Sequence, residues 1–235
     1  TTTAIDQKKL PHHIAVIMDG NGRWAKREGL SRAQGHDAGA KSVKAAIEAC
    51  RELGVGILTL YAFSTENWRR SRTEVNTLFR LLSKHIHLEI ENLHKEGVRV
   101  VYMGRREGLS ARVLKDMSDS MELTRVNKSM LLNIALNYGG RAEIVDACRI
   151  IAEEAKAGRL ALKDIDEASF VRRLYVPEAA EVDLLIRTSG EMRVSNFMLW
   201  QISYAEIVVT DTLWPDFRKP HLIEAIADYQ SRNRR

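Results

Sequence analysis

Three stretches of this sequence combine acidic, basic and glycine residues in a way that suits phosphate chemistry. The first, residues 19–23 (DGNGR), directly follows the apolar run 14–17. An apolar strand that ends in a glycine turn and a helical start places backbone N–H groups where they can face an anion. Asp19 would repel a phosphate unless a divalent cation lay between them. The first stretch therefore predicts a phosphate site bridged by Mg²⁺.

The glycine turn of this first stretch matches no common nucleotide motif. No Gly-Lys-Ser/Thr follows, as a P-loop requires, and Ala25 stands where a dinucleotide-binding turn has its third glycine. Taken alone, a purely structural turn explains residues 19–23 equally well. The nearby Arg23, Arg32 and His36 favour the functional interpretation, because a diphosphate needs several donors at once.

The second and third stretches follow two later apolar runs. Residues 63–70 (FSTENWRR) carry polar side chains at a strand end, and an alternative interpretation is a capped helix start followed by solvated charges. Residues 187–197 (RTSGEMRVSNF) place Arg187 and Arg193 around a Ser-Gly turn, with Ser195 close behind. Arginine forks match phosphate oxygens, although an exposed loop with solvated arginines is the alternative here. The two stretches predict a second anion site.

The positive charge of the three stretches suggests what they bind. Two diphosphates together carry roughly five to six negative charges, at up to about two per phosphate group. Five arginines and one Mg²⁺ supply a comparable positive total, and these arginines are Arg23, Arg32, Arg70, Arg187 and Arg193. Two diphosphates beside an apolar channel are typical of prenyl transfer.

The elements that must position these residues alternate along the chain. The predicted strands are residues 13–18, 56–63, 98–103, 131–136, 182–187 and 206–210. The predicted helices are residues 37–53, 73–96, 110–126, 141–157, 167–174 and 220–232. This alternation predicts an α/β fold with a mostly parallel six-stranded sheet flanked by helices. Without a linker or repeat, residues 1–235 form one domain, in which the polar residues 1–9 are expected to be flexible.

Two of the predicted helices have complementary apolar faces. The face of residues 37–53 is small near its start, whereas residues 73–93 carry long aliphatic side chains at helical spacing. Small residues opposite long ones could leave an apolar channel between these helices and the sheet. Considered alone, an ordinary packed core is the better interpretation.

Composition narrows the class of protein. The chain has 235 residues, a net charge of +5 and 45% hydrophobic residues, which is enough for a sizeable core. We expect Cys50 and Cys148 to be buried free thiols in a reducing compartment. No apolar run approaches the roughly 20 residues of a membrane span. These features predict a soluble cytoplasmic protein.

Two other functional classes explain less. A phosphohydrolase could use Asp19 with Mg²⁺, but it would need a second acid or a nucleophile motif. A nucleic-acid-binding module would line a continuous face with arginines and aromatic residues, whereas these arginines gather in loops. We therefore expect no nucleic-acid partner.

Five motifs occur in order along the chain, at residues 13–25, 35–39, 60–68, 133–141 and 183–197. Together they resemble the cis-prenyltransferase family, and most closely its bacterial undecaprenyl diphosphate synthase type. The resemblance runs from about Leu10 to the end of the chain. It implies repeated condensation of isopentenyl diphosphate onto farnesyl diphosphate in cis configuration. The implied product is undecaprenyl diphosphate, the precursor of the lipid carrier for cell-wall polysaccharide synthesis.

The resemblance also implies roles for individual residues. Asp19 is the Mg²⁺-linked acid that assists departure of the allylic diphosphate, and Asn67 lies close to the reacting groups. Glu206 is the second acid, implicated in metal binding at the contact of a homodimer. The residues implied to bind the allylic substrate are Gly20, Asn21, Gly22, Arg23, Trp24, Arg32, His36 and Arg70. Those implied to bind isopentenyl diphosphate are Arg187, Arg193 and Ser195, under a mobile loop with Ser64, Glu66 and Trp68.

The resemblance reverses the preference for an ordinary core and favours the channel. It places Ala40 and Ala62 near the mouth, with Met130 or Leu132 as stops at the far end. A peripheral membrane contact during product release is an option that it leaves open. The sequence departs from the family pattern at Met192, where some members carry a metal-ligating histidine, and members often continue past Arg235 with a short glycine-containing tail.

Overall fold

A six-stranded, all-parallel sheet forms the centre of the protein in the computed structural model, which describes residues 5–232. The strands are β1 (His13–Ile17), β2 (Ile57–Ser64), β3 (Val98–Met103), β4 (Met130–Tyr138), β5 (Leu184–Thr188) and β6 (Glu206–Thr210). Their spatial order is β3-β4-β2-β1-β5-β6. All six predicted strands are confirmed, and the sheet is parallel throughout.

The helices pack on both faces of the sheet, as the predicted α/β class requires. They are α1 (Asn21–Arg27), α2 (Arg32–Leu53), α3 (Arg72–Lys95), α4 (Ala111–Thr124), α5 (Gly140–Lys156), α6 (Glu167–Val171) and α7 (Lys219–Ser231). Within residues 5–232, none of these helices combines the length and apolarity that crossing a bilayer requires.

Helix α2 begins five residues earlier than predicted. Ser31 accepts from the backbone N–H of Gln34, and the Gln34 side chain accepts from the N–H of Ser31, which forms a capping box. Arg32 and His36 therefore lie in the first turns of a helix rather than in a loop. Helix α6 is shorter than predicted and ends at Val171.

Strand β1 has neighbours that come from distant parts of the chain. It pairs with β2 on one side and with β5 on the other, so that Ile17 lies in register with Arg187. The chain thus runs from β1 to β2 on one side of the sheet and later returns to β5 on the other side. Such a switch point in an open α/β sheet forms a crevice at the carboxyl ends of the strands, and the three predicted stretches all begin at that edge.

The core explains the strand pattern and corrects one prediction. All five residues of β1 are buried, as expected of a parallel strand covered on both faces. Cys50 is buried and free, as predicted, but Cys148 is exposed. Cys148 follows the buried Ala147 on α5, and one residue further along a helix points about 100° away from the core.

The N-terminal segment contacts the last helix. The backbone N–H of Asp6 donates to Oε1 of Gln230 at 3.0 Å, and Nε2 of Gln230 donates to the Asp6 carbonyl at 2.8 Å. Residues Gln7–Lys9 form a single 3₁₀ turn. Of the segment 1–9 that was expected to be flexible, residues 1–4 lie outside the described part, as do residues 233–235.

Candidate active site

Asp19 directly follows the carboxyl end of β1 and is fixed through its backbone. Its N–H donates to Oγ1 of Thr188 at 2.9 Å, and that hydroxyl donates to the Asp19 carbonyl at 2.6 Å. The same carbonyl accepts from the N–H of Trp214 at 3.0 Å. The next residue, Gly20, has a φ of +112°, and a Cβ there would lie 3.1 Å from backbone atoms of Leu213 and Trp214. The turn therefore requires glycine.

Arg187 connects Asp19 to the third stretch. Its side chain is only 5% exposed, and its Nη2 donates to Oδ2 of Asp19 at 2.9 Å. Its Nη1 donates to Oγ of Ser195 at 2.7 Å and also to the carbonyl of Arg193. One buried guanidinium thus positions both the acid and the serine.

A cationic cleft, called here the first cleft, lies above the N-terminus of α1. Its volume is about 400 Å³. It is lined by Asp19, Gly20, Asn21, Gly22, Arg23, Lys26, Arg32, His36 and Arg70. Burial, aided by the charge of Arg70, lowers the pKa of His36 to about 4. His36 is therefore neutral at neutral pH, and the positive charge of the cleft comes from arginine and lysine.

A second cleft lies on the other side of Asp19, with a volume of about 550 Å³. It is lined by Ile17, Met18, Asp19, Tyr61, Ser64, Glu66, Asn67, Arg70, Arg187, Ser195 and Asn196. Asp19 and Arg70 belong to both clefts. The structure therefore brings most of the predicted site residues together, in two neighbouring polar clefts that share one acid and one arginine.

Glu74 links two arginines of the first cleft, Arg32 at the start of α2 and Arg70 in the turn before α3. Its carboxylate accepts from Arg32 at 3.2 Å and from Arg70 at 3.0 Å. Sequence reasoning missed Glu74, although an acid four residues after Arg70, at the start of a predicted helix, was an available clue. It also missed Lys26 and Tyr61, whose positions at the clefts depend on the tertiary fold.

Three predicted substrate-binding residues line neither cleft. The indole N–H of Trp24 donates to Asp216 at 2.8 Å, and that of Trp68 donates to Oδ1 of Asn137 at 2.6 Å. The guanidinium of Arg193 contacts Glu191, and its side chain is 65% exposed. In this structure these side chains hold loops in place, and their contact with substrate stays a prediction.

Asp19 and Glu206 lie at opposite ends of the strands within a single chain, so the implied role of Glu206 in metal binding at a dimer contact stays a prediction. Glu206 begins β6, whereas Asp19 lies beside Thr188, which is in register with the last residue of β6. Four residues, or about 13 Å along the strand direction, separate the start of β6 from the end at which Asp19 lies. Glu206 instead pairs with Arg232 at 2.7 Å. Across residues 5–232, no group of three or more His, Cys, Asp or Glu side chains has the arrangement of a metal site.

An apolar cavity of about 370 Å³ lies between α2, α3 and the sheet. The small residues Ala40 and Ala62 line it, as does Leu132. Met130 is buried in the core and does not line the cavity, so its role as a stop for a channel stays a prediction. The cavity shares Asn21 and His36 with the first cleft and Tyr61 with the second. The apolar space therefore adjoins both polar clefts.

Salt bridges join the two helices that cover this cavity. Arg32 on α2 pairs with Glu74 on α3, and Lys44 pairs with Glu89 at 3.1 Å. Near the far end, Arg51 pairs with Glu96 at 3.4 Å. The helices are thus held together at their rims, while the apolar side chains between them leave space.

Comparison with known proteins gives the same family as the motifs. A family described as putative undecaprenyl diphosphate synthase matches residues 17–235. An isoprenyl transferase of Heliobacterium mobile is 49% identical over 98% of this chain and 89% of its own length. A ditrans,polycis-undecaprenyl-diphosphate synthase of Pasteurella multocida, named as specific for (2E,6E)-farnesyl diphosphate, is 46% identical over 98% and 96% of the two chains.

A solved structure extends the comparison to the fold. The lavandulyl diphosphate synthase of Lavandula x intermedia, crystallised with dimethylallyl diphosphate, superposes with a TM-score of 0.94 at 35% identity. The match covers 97% of this chain and 98% of that one. The family assignment rests on sequence shared over nearly the whole length and on a shared fold. This chain is a cis-prenyltransferase of the undecaprenyl diphosphate synthase family.

Proposed function

We propose that this enzyme extends farnesyl diphosphate by repeated addition of isopentenyl diphosphate and that its product is undecaprenyl diphosphate. The observation that carries this proposal is the meeting of two polar clefts at Asp19, next to an apolar cavity. Two diphosphates need two cationic spaces, and a growing hydrocarbon needs an apolar one. A single-substrate phosphohydrolase has no use for the second cleft or for the cavity.

The first cleft suits the allylic diphosphate. It combines the backbone turn at Gly20, three arginines and Lys26, and these groups stabilise the negative charge that grows on the departing diphosphate. The second cleft suits isopentenyl diphosphate, which Arg187 and Ser195 would hold. Two adjacent diphosphates fixed in this way bring the reacting carbons to about 3–3.5 Å from each other.

Mg²⁺ belongs to this proposal, and the residues present fit it. Mg²⁺ is usually held by one or two carboxylates together with substrate phosphates, and Asp19 is an acid at the border of both clefts. Asp19 would hold the ion together with the allylic diphosphate. When bound, the ion supplies charge stabilisation for the leaving group.

The apolar cavity would receive the growing chain. Its mouth adjoins the first cleft at His36, so the hydrocarbon of an allylic substrate can enter it while the diphosphate stays in the cleft. The neutral state of His36 supports this arrangement, since a neutral imidazole is a better neighbour for hydrocarbon than a cation. Each addition then pushes the chain further between α2 and α3.

We also propose that the enzyme works as a homodimer through the β6 edge of the sheet. Tyr204 is fully exposed just before β6, and Ile207 on that strand is 43% exposed. Met192, in the nearby loop, is 89% exposed. An open sheet edge with exposed apolar residues is typical of an interface. Glu206 would then act toward the partner's site. The proposal includes a cytoplasmic location and a peripheral membrane contact at product release.

A product assay tests the proposed function. Purified protein is incubated with farnesyl diphosphate, radiolabelled isopentenyl diphosphate and Mg²⁺, and chain length is measured by reverse-phase mobility and mass. We expect a polyprenyl product of eleven isoprene units and its loss with EDTA. Parallel reactions with geranyl and dimethylallyl diphosphate identify the preferred starter. A product with a single added unit would overturn the proposed chain elongation.

A further inference from the structure

We propose that Asn196 is a positioning residue that holds the two walls of the second cleft together. It joins the loop after β2 to the segment that carries Ser195, and its hydrogen bond to Glu66 is called here the lock. This inference rests on the proposed function, because it assigns that cleft to isopentenyl diphosphate. Asn196 lies in the cleft wall, and three segments distant in sequence meet at its side chain and carbonyl.

The Asn196 amide has a defined orientation. Its Nδ2 donates to Oε1 of Glu66 at 2.9 Å, and its Oδ1 accepts from the backbone N–H of Arg141 at 2.9 Å. A backbone N–H can only donate and an ionised carboxylate can only accept. Each end of the amide therefore faces a partner that excludes the flipped arrangement.

The backbone of Asn196 also forms a hydrogen bond to another segment and has a positive φ. Its carbonyl accepts from the N–H of Gly140 at 2.7 Å, and its φ is +60°. The neighbouring Ser195 also has a positive φ, of +48°. Asparagine adopts this conformation more readily than most residues, while two consecutive non-glycine residues in it require outside contacts to hold them.

The paired glycines at the start of α5 allow this close approach. A Cβ on Gly139 would lie 2.8 Å from Nδ2 of Asn196 and 2.7 Å from the hydroxyl of Thr65. A Cβ on Gly140 would lie 2.9 Å from the backbone nitrogen of Leu199. Any side chain at these two positions would push the segments apart, so both glycines are needed for the contacts of Asn196.

The Glu66 side of the contact is charged. Burial alone would raise the pKa of Glu66, but the hydrogen bond from Asn196 and donors from its own loop outweigh burial and lower it. Glu66 is therefore ionised at neutral pH and needs a donor opposite it. The next residue, Asn67, accepts from the N–H of Ser64 and lines the same cleft.

These contacts define what the lock positions. On one side, the hydroxyl oxygen of Ser195 accepts a hydrogen bond from Arg187, which also contacts Asp19. On the other side, Glu66 leads directly into Asn67 and Arg70. Loss of the Asn196–Glu66 hydrogen bond would separate the two walls of the second cleft without removing any of the groups predicted to touch a diphosphate.

A reciprocal exchange of the two side chains tests the lock. Asn196→Asp keeps the shape, the tolerance for positive φ and the acceptor toward Arg141, but it sets a carboxylate against Glu66. Glu66→Gln keeps an acceptor toward Asn196. The double variant N196D/E66Q restores a donor–acceptor pair with reversed roles. Kinetic constants for both substrates and isopentenyl diphosphate binding by calorimetry are measured for all four proteins.

We expect N196D to raise the KM for isopentenyl diphosphate about tenfold, the cost of one lost charge-assisted hydrogen bond, with a change below about twofold in the KM for farnesyl diphosphate. E66Q should raise it less than N196D does. The double variant should recover most of the loss. Equal KM increases for the two substrates, or a double variant as impaired as N196D, would overturn the inference.

The design separates this inference from the proposed function. If the unmodified protein makes no polyprenyl product, the proposed function fails, and calorimetry with isopentenyl diphosphate still tests the lock through rescue of binding in the double variant. If the unmodified protein elongates chains but the exchange gives no rescue, only the lock fails. Thermal denaturation of all four proteins checks that a KM change is not a folding defect.

Discussion

Arg187 donates through Nη2 to the carboxylate of Asp19 at 2.9 Å, although 168 positions separate the two residues in sequence. The arginine is nearly buried and the aspartate is 35% exposed, so the pair has one face in the protein and one in the clefts. A substrate diphosphate would therefore meet an arginine whose orientation is already set by an acid, and an acid whose orientation is set by an arginine. This preorganisation underlies the first two predictions.

Replacing Asp19 by alanine should abolish turnover and leave the fold intact. Because Asp19 is the acid shared by both clefts, kcat should fall at least about 100-fold, while the dissociation constant for farnesyl diphosphate changes little. The measurement is a Mg²⁺-supplemented radiolabel assay beside a binding titration. Asp164→Ala, at an exposed acid that lines neither cleft, is the control, and near-normal turnover in D19A would refute the assignment.

Replacing Arg187 or Arg193 by alanine should affect isopentenyl diphosphate selectively. Arg187→Ala removes hydrogen bonds to Asp19 and Ser195. We therefore expect the KM for isopentenyl diphosphate to rise about 100-fold and the free energy of unfolding to fall by about 2 kcal/mol. Arg193→Ala removes a cation predicted to bind the diphosphate, so we expect about a tenfold rise in the KM for isopentenyl diphosphate. Because this side chain is exposed, Tm should not change. An equal rise in the KM for farnesyl diphosphate would count against the assignment of the second cleft.

The pH dependence of stability should reveal the buried histidine His13. Burial lowers its pKa from 6.5 to about 4, despite an accepting Glu181 carbonyl that opposes the shift. Between pH 6.5 and 4 the unfolded chain binds a proton that the folded protein does not, so stability falls as pH falls through this window. At about 1.4 kcal/mol per pH unit, His13 should cost about 2 kcal/mol between pH 7 and pH 5.

Urea unfolding at pH 7 and pH 5 measures this cost. His13→Gln should reduce the difference between the two unfolding free energies, whatever its effect on stability at pH 7. His87→Gln, at a side chain that is 59% exposed, is the control for removal of a histidine. An identical pH difference in the unmodified protein and in H13Q would show that His13 is protonated in the folded state.

The size of the apolar cavity should set chain length. Ala62 lines the cavity near its polar mouth, and Ala62→Leu adds three carbons there, so the mean product should shorten by one or more isoprene units. Leu132→Ala opens the deeper wall and should lengthen it. Mass analysis of the products measures both effects. Ala45→Leu, on α2 but outside the cavity lining, is the matched control and should leave the distribution unchanged.

Much of the fold could be predicted because apolar runs identify parallel strands directly. The run 14–17 is buried on both faces and reads as a strand without any knowledge of its neighbours. The start of α2 was harder, since the capping box of Ser31 and Gln34 precedes the periodic apolar pattern. Helix ends are fixed by single hydrogen bonds, whereas helix interiors are fixed by a repeated pattern.

The sequence predicted which residues form the site better than it predicted the hydrogen bonds between them. That Asp19 and Arg187 follow parallel strands was enough to place them at one edge of the sheet. The same reasoning would have placed Glu206, which begins its strand, at the opposite edge. The contacts of Asn196 could not be predicted, because its backbone conformation and its partners come from segments more than 50 residues away.

The position of β1 between β2 and β5 has a consequence for how the enzyme becomes active. Strands β1 and β2 can pair early, because the segment with α1 and α2 that joins them closes at a lower entropic cost than a longer one, but β5 must return from about 170 residues further along the chain. Asp19 and Arg187 meet only after that return. Catalytic competence therefore depends on the pairing of β5 with β1. A nascent chain that ends before β5 lacks Arg187 and also lacks Thr188 and Trp214, which hold the backbone of Asp19, so it has no working site.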